Sequence, residues 1–221
     1  MEDSVIPNDL VAVDLVPRPV LHGAQDDQPE RGVFYLGRPF TSPLDLETAP
    51  EHIRSYAAEK HSEVEFRRLV VNLSLSPKAG EPIRHITVNA AIDADNGSKE
   101  PLFRDASPLR LTKAVTRSSK VGVKTDFGVV KPEAERGSQY EREEPFLLAR
   151  GIGTNSVQWE FRQTPGQALD GSHELLATLE LPVGATGSIL LSAAVSIRRK
   201  RLGIIGYDAR LPQDIAVMSF R

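Results

Sequence analysis

Alternation with a period of two residues is the feature that most limits what this chain can fold into. In Leu69-Val-Val-Asn-Leu-Ser-Leu-Ser, residues Leu69, Val71, Leu73 and Leu75 fall on one side, and Asn72, Ser74 and Ser76 on the other. Successive side chains of extended backbone point to opposite faces, so this pattern predicts a half-buried strand. Ile86, Val88, Ala90 and Ile92 repeat it, as do Val157, Trp159 and Phe161. Further on, Leu175, Ala177, Leu179 and Leu181 alternate with Glu174, Leu176, Thr178 and Glu180, and Ile189, Leu191, Ala193, Val195 and Ile197 align in a last long strand. Val64 and Phe66 have the opposite parity to Leu69, which calls for a twist, a bulge near Arg67 and Arg68, or burial of both faces.

A sheet with one apolar face needs a second layer over it. The fold class expected is therefore all-β or β-rich α+β: an antiparallel β-sandwich of about six to eight strands with one short peripheral helix, or a partly closed barrel as the alternative. The strands at 69–76 and 86–92 are expected to pair, because the Pro77–Glu81 loop is too short for a helical crossover. The three C-terminal strands, joined by Pro165-Gly and by Pro182-Val-Gly-Ala-Thr-Gly, are expected to form a meander.

The helix is expected at Ala49–Lys60, with Thr48 as its cap, Pro50 in its first turn, and Ile53, Ala57 and Ala58 on its apolar face. Residues 1–46 read as an acidic, proline-containing arm partly packed on the body, and 47–221 as a single β-rich domain. Periodicity is weak over 95–126, where Ser107–Val115 fits an edge strand or an irregular crossover. Phe127–Val130 and Pro145–Ala149 supply short strands on either side of a polar segment.

With 221 residues the chain is long enough to bury one substantial core. No apolar run reaches the 18 or so residues that span a bilayer, so the expectation is a soluble protein. The net charge of -3 offers no general attraction for nucleic acid. It is unevenly spread: residues 1–62 hold 5 Lys or Arg against 11 Asp or Glu, and residues 63–221 hold 22 against 19. The absence of cysteine excludes disulfides and thiol chemistry, and the N-terminal residues lack the basic and apolar regions of a signal peptide. A cytoplasmic location is the simplest expectation.

No linked catalytic constellation occurs. His173 and Glu174 are an acid/base pair by type, yet adjacent residues of a strand face opposite ways, which favours turn and surface roles. His52, His61, His85 and His173 are too dispersed for a metal motif. Asp93-Ala-Asp-Asn-Gly-Ser-Lys-Glu has the carboxylates of a calcium loop but not its glycine and glutamate spacing, and reads as a turn. Gly203-Ile-Ile-Gly-Tyr lacks the third glycine of a dinucleotide site. No cofactor or metal is expected.

What stands out is Arg198-Arg-Lys-Arg, which ends the last strong strand pattern. Four cations in succession suit an acidic protein surface, while a solvated strand edge is the plainer reading. Trp159 by its parity belongs to the core, and an exposed Trp159 beside the cations is the binding alternative. The functional expectation is a non-enzymatic module that binds protein or assembles a complex through Arg198, Arg199, Lys200 and Arg201, with Trp159 or Tyr207 alongside. Self-association is a further option. The alternatives are a metal-free enzyme with a site drawn from distant residues, and a lipid or nucleic-acid module.

Overall fold

The computed structural model describes residues 10–18, 29–60, 62–94, 100–119, 138–200 and 202–220. In chain order the elements are β1 (Leu10–Ala12), β2 (Asp14–Pro17), β3 (Phe34–Gly37), β4 (Phe40–Pro43), α1 (Glu51–Lys60), β5 (Val64–Leu75), β6 (Ile83–Ala94), β7 (Leu102–Ser107) and β8 (Arg110–Ser119). There follow β9 (Ser138–Arg150), β10 (Ser156–Arg162), β11 (Gly171–Pro182), β12 (Gly187–Arg199), β13 (Gly203–Arg210), α2 (Gln213–Ala216) and β14 (Val217–Phe220).

The strands form two antiparallel sheets, an all-β sandwich as the alternation predicts. One runs β1-β3-β5-β11-β7, with β4 also on β5; the other runs β2-β13-β12-β6-β10-β9-β8, with β14 also on β12. Each path has two free ends, so the barrel alternative does not apply among the described residues. Between the sheets lies one core, in which Leu69, Val71, Leu73, Ile86, Val88, Trp159, Phe161, Leu175, Leu179, Ile189 and Val195 are buried. These are the inward parities read from the sequence. No helix among the described residues is long and apolar enough to cross a membrane.

Strand pairing departs from expectation. β5 and β6 lie in different sheets, so the short connection between them crosses the sandwich instead of closing a hairpin. The expected C-terminal meander is likewise divided: β10 pairs with β6, β11 with β5, and β12 returns to β6. Facing sheets stand only about 10 Å apart, so a loop of a few residues spans them as easily as it turns a hairpin. The N-terminal segment has more regular structure than its sequence pattern indicates, and Leu15, Phe34 and Leu36 are buried in the core. Over its described residues it supplies four strands, β1, β3 and β4 to one sheet and β2 to the other. At three or four residues each, they present too few alternations for a period to show.

The parity conflict at Val64 and Phe66 resolves as burial of both faces. β5 pairs with β11 in unbroken register from Val64 to Leu75, so no bulge intervenes. α1 covers the outer side there, with the Tyr56 and Phe66 rings edge to face at 6.1 Å. Ile53 and Ala57 are buried as expected, but the Thr48 hydroxyl bonds to Asp45 and not to the helix. Glu180, 2% exposed, anchors the helix: Arg104 pairs with it, the Tyr56 hydroxyl donates to it at 3.3 Å, and Arg104 Nη2 donates to the Tyr56 oxygen at 2.9 Å. The hydrogen bond to Glu180 holds the Arg104 guanidinium above its ordinary range.

The Ser107–Val115 segment is divided between the sheets: Ser107 ends β7 in one, and Arg110–Val115 belongs to β8, the end strand of the other. β9 starts well before Pro145, and β7 has no counterpart in the sequence pattern. The possible strand at Phe127–Val130 lies outside the described residues.

Candidate functional site

The basic segment closes the hairpin between β12 and β13, where Arg198 pairs with Ile204 and Arg199 with Gly203. Alternation along β12 separates the cations. Arg198 faces outward next to Ile204, which is 64% exposed, while Arg199 turns inward and is 12% exposed. Its guanidinium pairs with Glu30 and Glu81, donates to the Tyr207 hydroxyl from Nε at 3.3 Å and from Nη2 at 3.1 Å, and lies 5.9 Å from the centre of that ring.

Glu30 also pairs with Lys78. Burial pushes its carboxyl up, but hydrogen bonds from Lys78 and Arg199 outweigh that and hold it below the usual carboxylate range. For Arg199, burial lowers, and the hydrogen bonds to Glu30 and Tyr207 more than reverse this, so the guanidinium is held above its ordinary range. Backbone bonds complete the joint. Glu30 exchanges two with Leu15, each 2.8 Å, and the Arg198 amide donates to the Pro82 carbonyl at 3.0 Å. Three segments distant in sequence are thereby fastened to one hairpin.

Gly80 takes a positive φ of 75°, and a Cβ there would run into the Lys200 side chain. The loop and the hairpin together enclose a shallow depression of about 410 Å³ lined by Gly80, Pro82, Arg198, Arg199, Lys200 and Gly203. Arg198 and Lys200 are exposed and make no ion pair with another described residue. Leu202 and Ile204 are exposed beside them. This end of the sandwich is thus both cationic and aliphatic.

The structure breaks up the binding set expected from the sequence. Arg198 and Lys200 come together on the surface, whereas Arg199 is committed to internal pairing. Arg201 lies outside the described residues. Trp159 and Tyr207 are both 0% exposed and serve the core, so neither presents a recognition surface. The Trp159 indole nitrogen has no hydrogen-bond partner among the described residues. Glu30, Lys78 and Glu81, which complete the charge cluster, were not singled out in the sequence. Only the opposite sign of the two glutamates to Arg199 marked them, a signal common to every surface carboxylate, and nothing marked Lys78.

His173 and Glu174 do not form a pair. His173 lies on the inner side of β11 with its ring 5.2 Å from Phe161 and its Nε2 3.0 Å from the Asp170 carbonyl, while Glu174 points outward. The Asp93–Glu100 turn falls largely outside the described residues, as does His61. Among the described residues no group of three or more His, Asp or Glu side chains could hold a metal ion.

A second polar cluster sits on the outer face of the larger sheet. Glu160, 7% exposed, accepts from Arg162 Nε at 2.8 Å and Nη2 at 2.5 Å, lies 2.8 Å from His85 Nε2, and is approached by Arg150 at 3.5 Å. Burial raises its carboxyl, and the bonds from His85 and Arg162 more than reverse this, leaving it below the usual range. Its outward parity was legible in the sequence, but the strand pairing that brings His85 to Arg162 was not.

No protein-family model matches the chain, and no curated protein matches it in sequence. Among solved structures it has a slight likeness to the Clostridium perfringens NetB toxin in its membrane-inserted form. That comparison gives a TM-score of 0.33 and 8% identity over 96% of this chain and 100% of the other. Clostridium perfringens delta-toxin gives 0.30 and 9% over 98% and 93%. Similarity this low decides nothing about activity.

Proposed function

We propose that the chain is a binding module that docks an acidic protein surface on the β12–β13 end of the sandwich. The observation that carries this reading is the division of the basic segment: Arg199 is held by internal carboxylates, while Arg198 and Lys200 face solvent beside Leu202 and Ile204. A pair of cations flanked by exposed aliphatic side chains suits a partner that presents carboxylates around an apolar centre. The internal pairs hold the hairpin in place, so the surface is formed before the partner arrives, which lowers the ordering cost of association.

The test is affinity for an array of acidic peptides interleaved with leucine and phenylalanine, measured at rising salt. The Arg198→Gln/Lys200→Gln protein is expected to lose at least about tenfold in affinity with an unchanged melting temperature, since two desolvated charge contacts are worth more than 1.4 kcal/mol together. Equal affinity of the two proteins overturns the reading. So does a preference for duplex DNA or phosphatidylserine vesicles over the peptides at physiological salt.

A further inference from the structure

The outer face of the larger sheet carries a trough whose residues form a grid set by strand register. One row runs Arg162, His85, Ser196, Gly206 across β10, β6, β12 and β13, and the Arg18 amide bonds to the Gly206 carbonyl at its end. The next runs Glu160, Thr87, Ala194, Asp208, and a third runs Gln158, Asn89, Ser192. The middle of the grid is thus made of small side chains, Thr87, Ala194, Ser192 and Ser196. Its two banks are long and charged, with Arg18–Asp208 at 2.5 Å on one side and the Glu160 cluster on the other. The banks stand three strand spacings apart, about 14 Å. Between them is a cavity of about 260 Å³.

Two properties define what fits. First, the ionisable groups that line the cavity itself already have partners: Arg18 and Asp208 pair with each other, and His85 bonds to Glu160. An anion or cation entering the trough would compete with these pairs, whereas a neutral ligand would not. Second, the floor has hydrogen-bonding capacity to spare. The side chains of Thr87, Asn89, Ser192 and Ser196 make no hydrogen bond to another described residue, and hydroxyl and carboxamide groups both donate and accept. Asp208, paired with Arg18, retains lone pairs beyond those the arginine uses. A ligand made of closely spaced hydroxyls, each a donor and an acceptor, matches such a lining.

We infer that this trough is a binding site for a neutral saccharide, one or two sugar rings lying across β6 and β12 between the Arg18–Asp208 and His85–Glu160 banks. Asn89, Thr87, Ser192 and Ser196 hold the ring hydroxyls, and Ala194 lies beneath the ring. The volume is below the roughly 300–1,000 Å³ of pockets for drug-sized ligands, which agrees with a small polar occupant and with affinity in the millimolar range for a single ring. The site is separate from the β12–β13 hairpin end and does not depend on the docking reading given for it.

Saturation-transfer NMR with methyl glycosides of glucose, galactose, mannose and N-acetylglucosamine tests the proposal, alongside an array of neutral oligosaccharides. At least one sugar is expected to bind. Its signal is expected to vanish in Ala194→Leu, which fills the floor, and to weaken about tenfold in Asn89→Ala, while Lys200→Gln leaves it unchanged. Both positions face outward, and circular dichroism confirms folding; should Ala194→Leu misfold, Ser192→Gln at an exposed position blocks the same floor. Binding by none of the sugars overturns the proposal, as does binding that survives a folded blocking variant. Inorganic phosphate competing at the same floor overturns it in favour of an anion site.

Discussion

Replacing Arg199 by methionine is expected to cost about 3–5 kcal/mol, because it leaves two carboxylates, Glu30 and Glu81, without their shared cation in a mostly buried place. The same change at Arg198, one residue earlier and facing solvent, is expected to cost less than about 0.5 kcal/mol. Chemical denaturation of the two variants checks the contrast. Acid acts on the same chemistry. Glu30 and Glu160 both titrate below the ordinary 4.5 in the folded chain, so their contribution is complete above that value and is lost as pH falls through their folded values. Stability is therefore expected to decline below about pH 4.5, and less steeply in Glu160→Gln, as thermal melts at successive pH values will show. The identities of adjacent cations were plain in the sequence; which of them faced inward depended on where β12 stops alternating and on carboxylates more than a hundred residues away. The core tryptophan was easier, because Val157 and Phe161 fix its side by parity. Its emission is expected to be blue-shifted, resistant to acrylamide, and to move to the red on unfolding.

At the level of elements, α1 is joined to its sheet by few apolar contacts and by the Arg104–Tyr56–Glu180 cluster. Tyr56→Phe removes one donor to a carboxylate that is 2% exposed, and is expected to cost about 1–3 kcal/mol. The loss should be concentrated in faster amide exchange over residues 51–60, with the strands of the other sheet unaffected. Element existence and facing were legible wherever four or more alternations occurred in a row. Partners were not, since alternation states which side of a strand is buried and nothing about which strand lies beside it. The pairing of β5 with β11 and of β6 with both β10 and β12 is decided by how two apolar faces cover one another, a property of the whole set of strands. The trough on the outer face was hidden for the same reason: its residues are unremarkable singly and become neighbours only through register.

Across the whole molecule, strands from every part of the described chain meet in one core, so the sandwich is expected to unfold as a unit. Trp159 fluorescence and far-ultraviolet circular dichroism should give coincident denaturation curves; separate midpoints would show that the two sheets come apart independently. The pairing of β5 with β11 has a further consequence, in the time taken to make the protein. Val64–Leu75 finds its long partner only in Gly171–Pro182, and a ribosome adding about 5–20 residues per second needs on the order of 5–20 s to reach it. Throughout that interval β5 has β3 and β4 along one edge, and the neighbour that covers its full length along the other has not been translated.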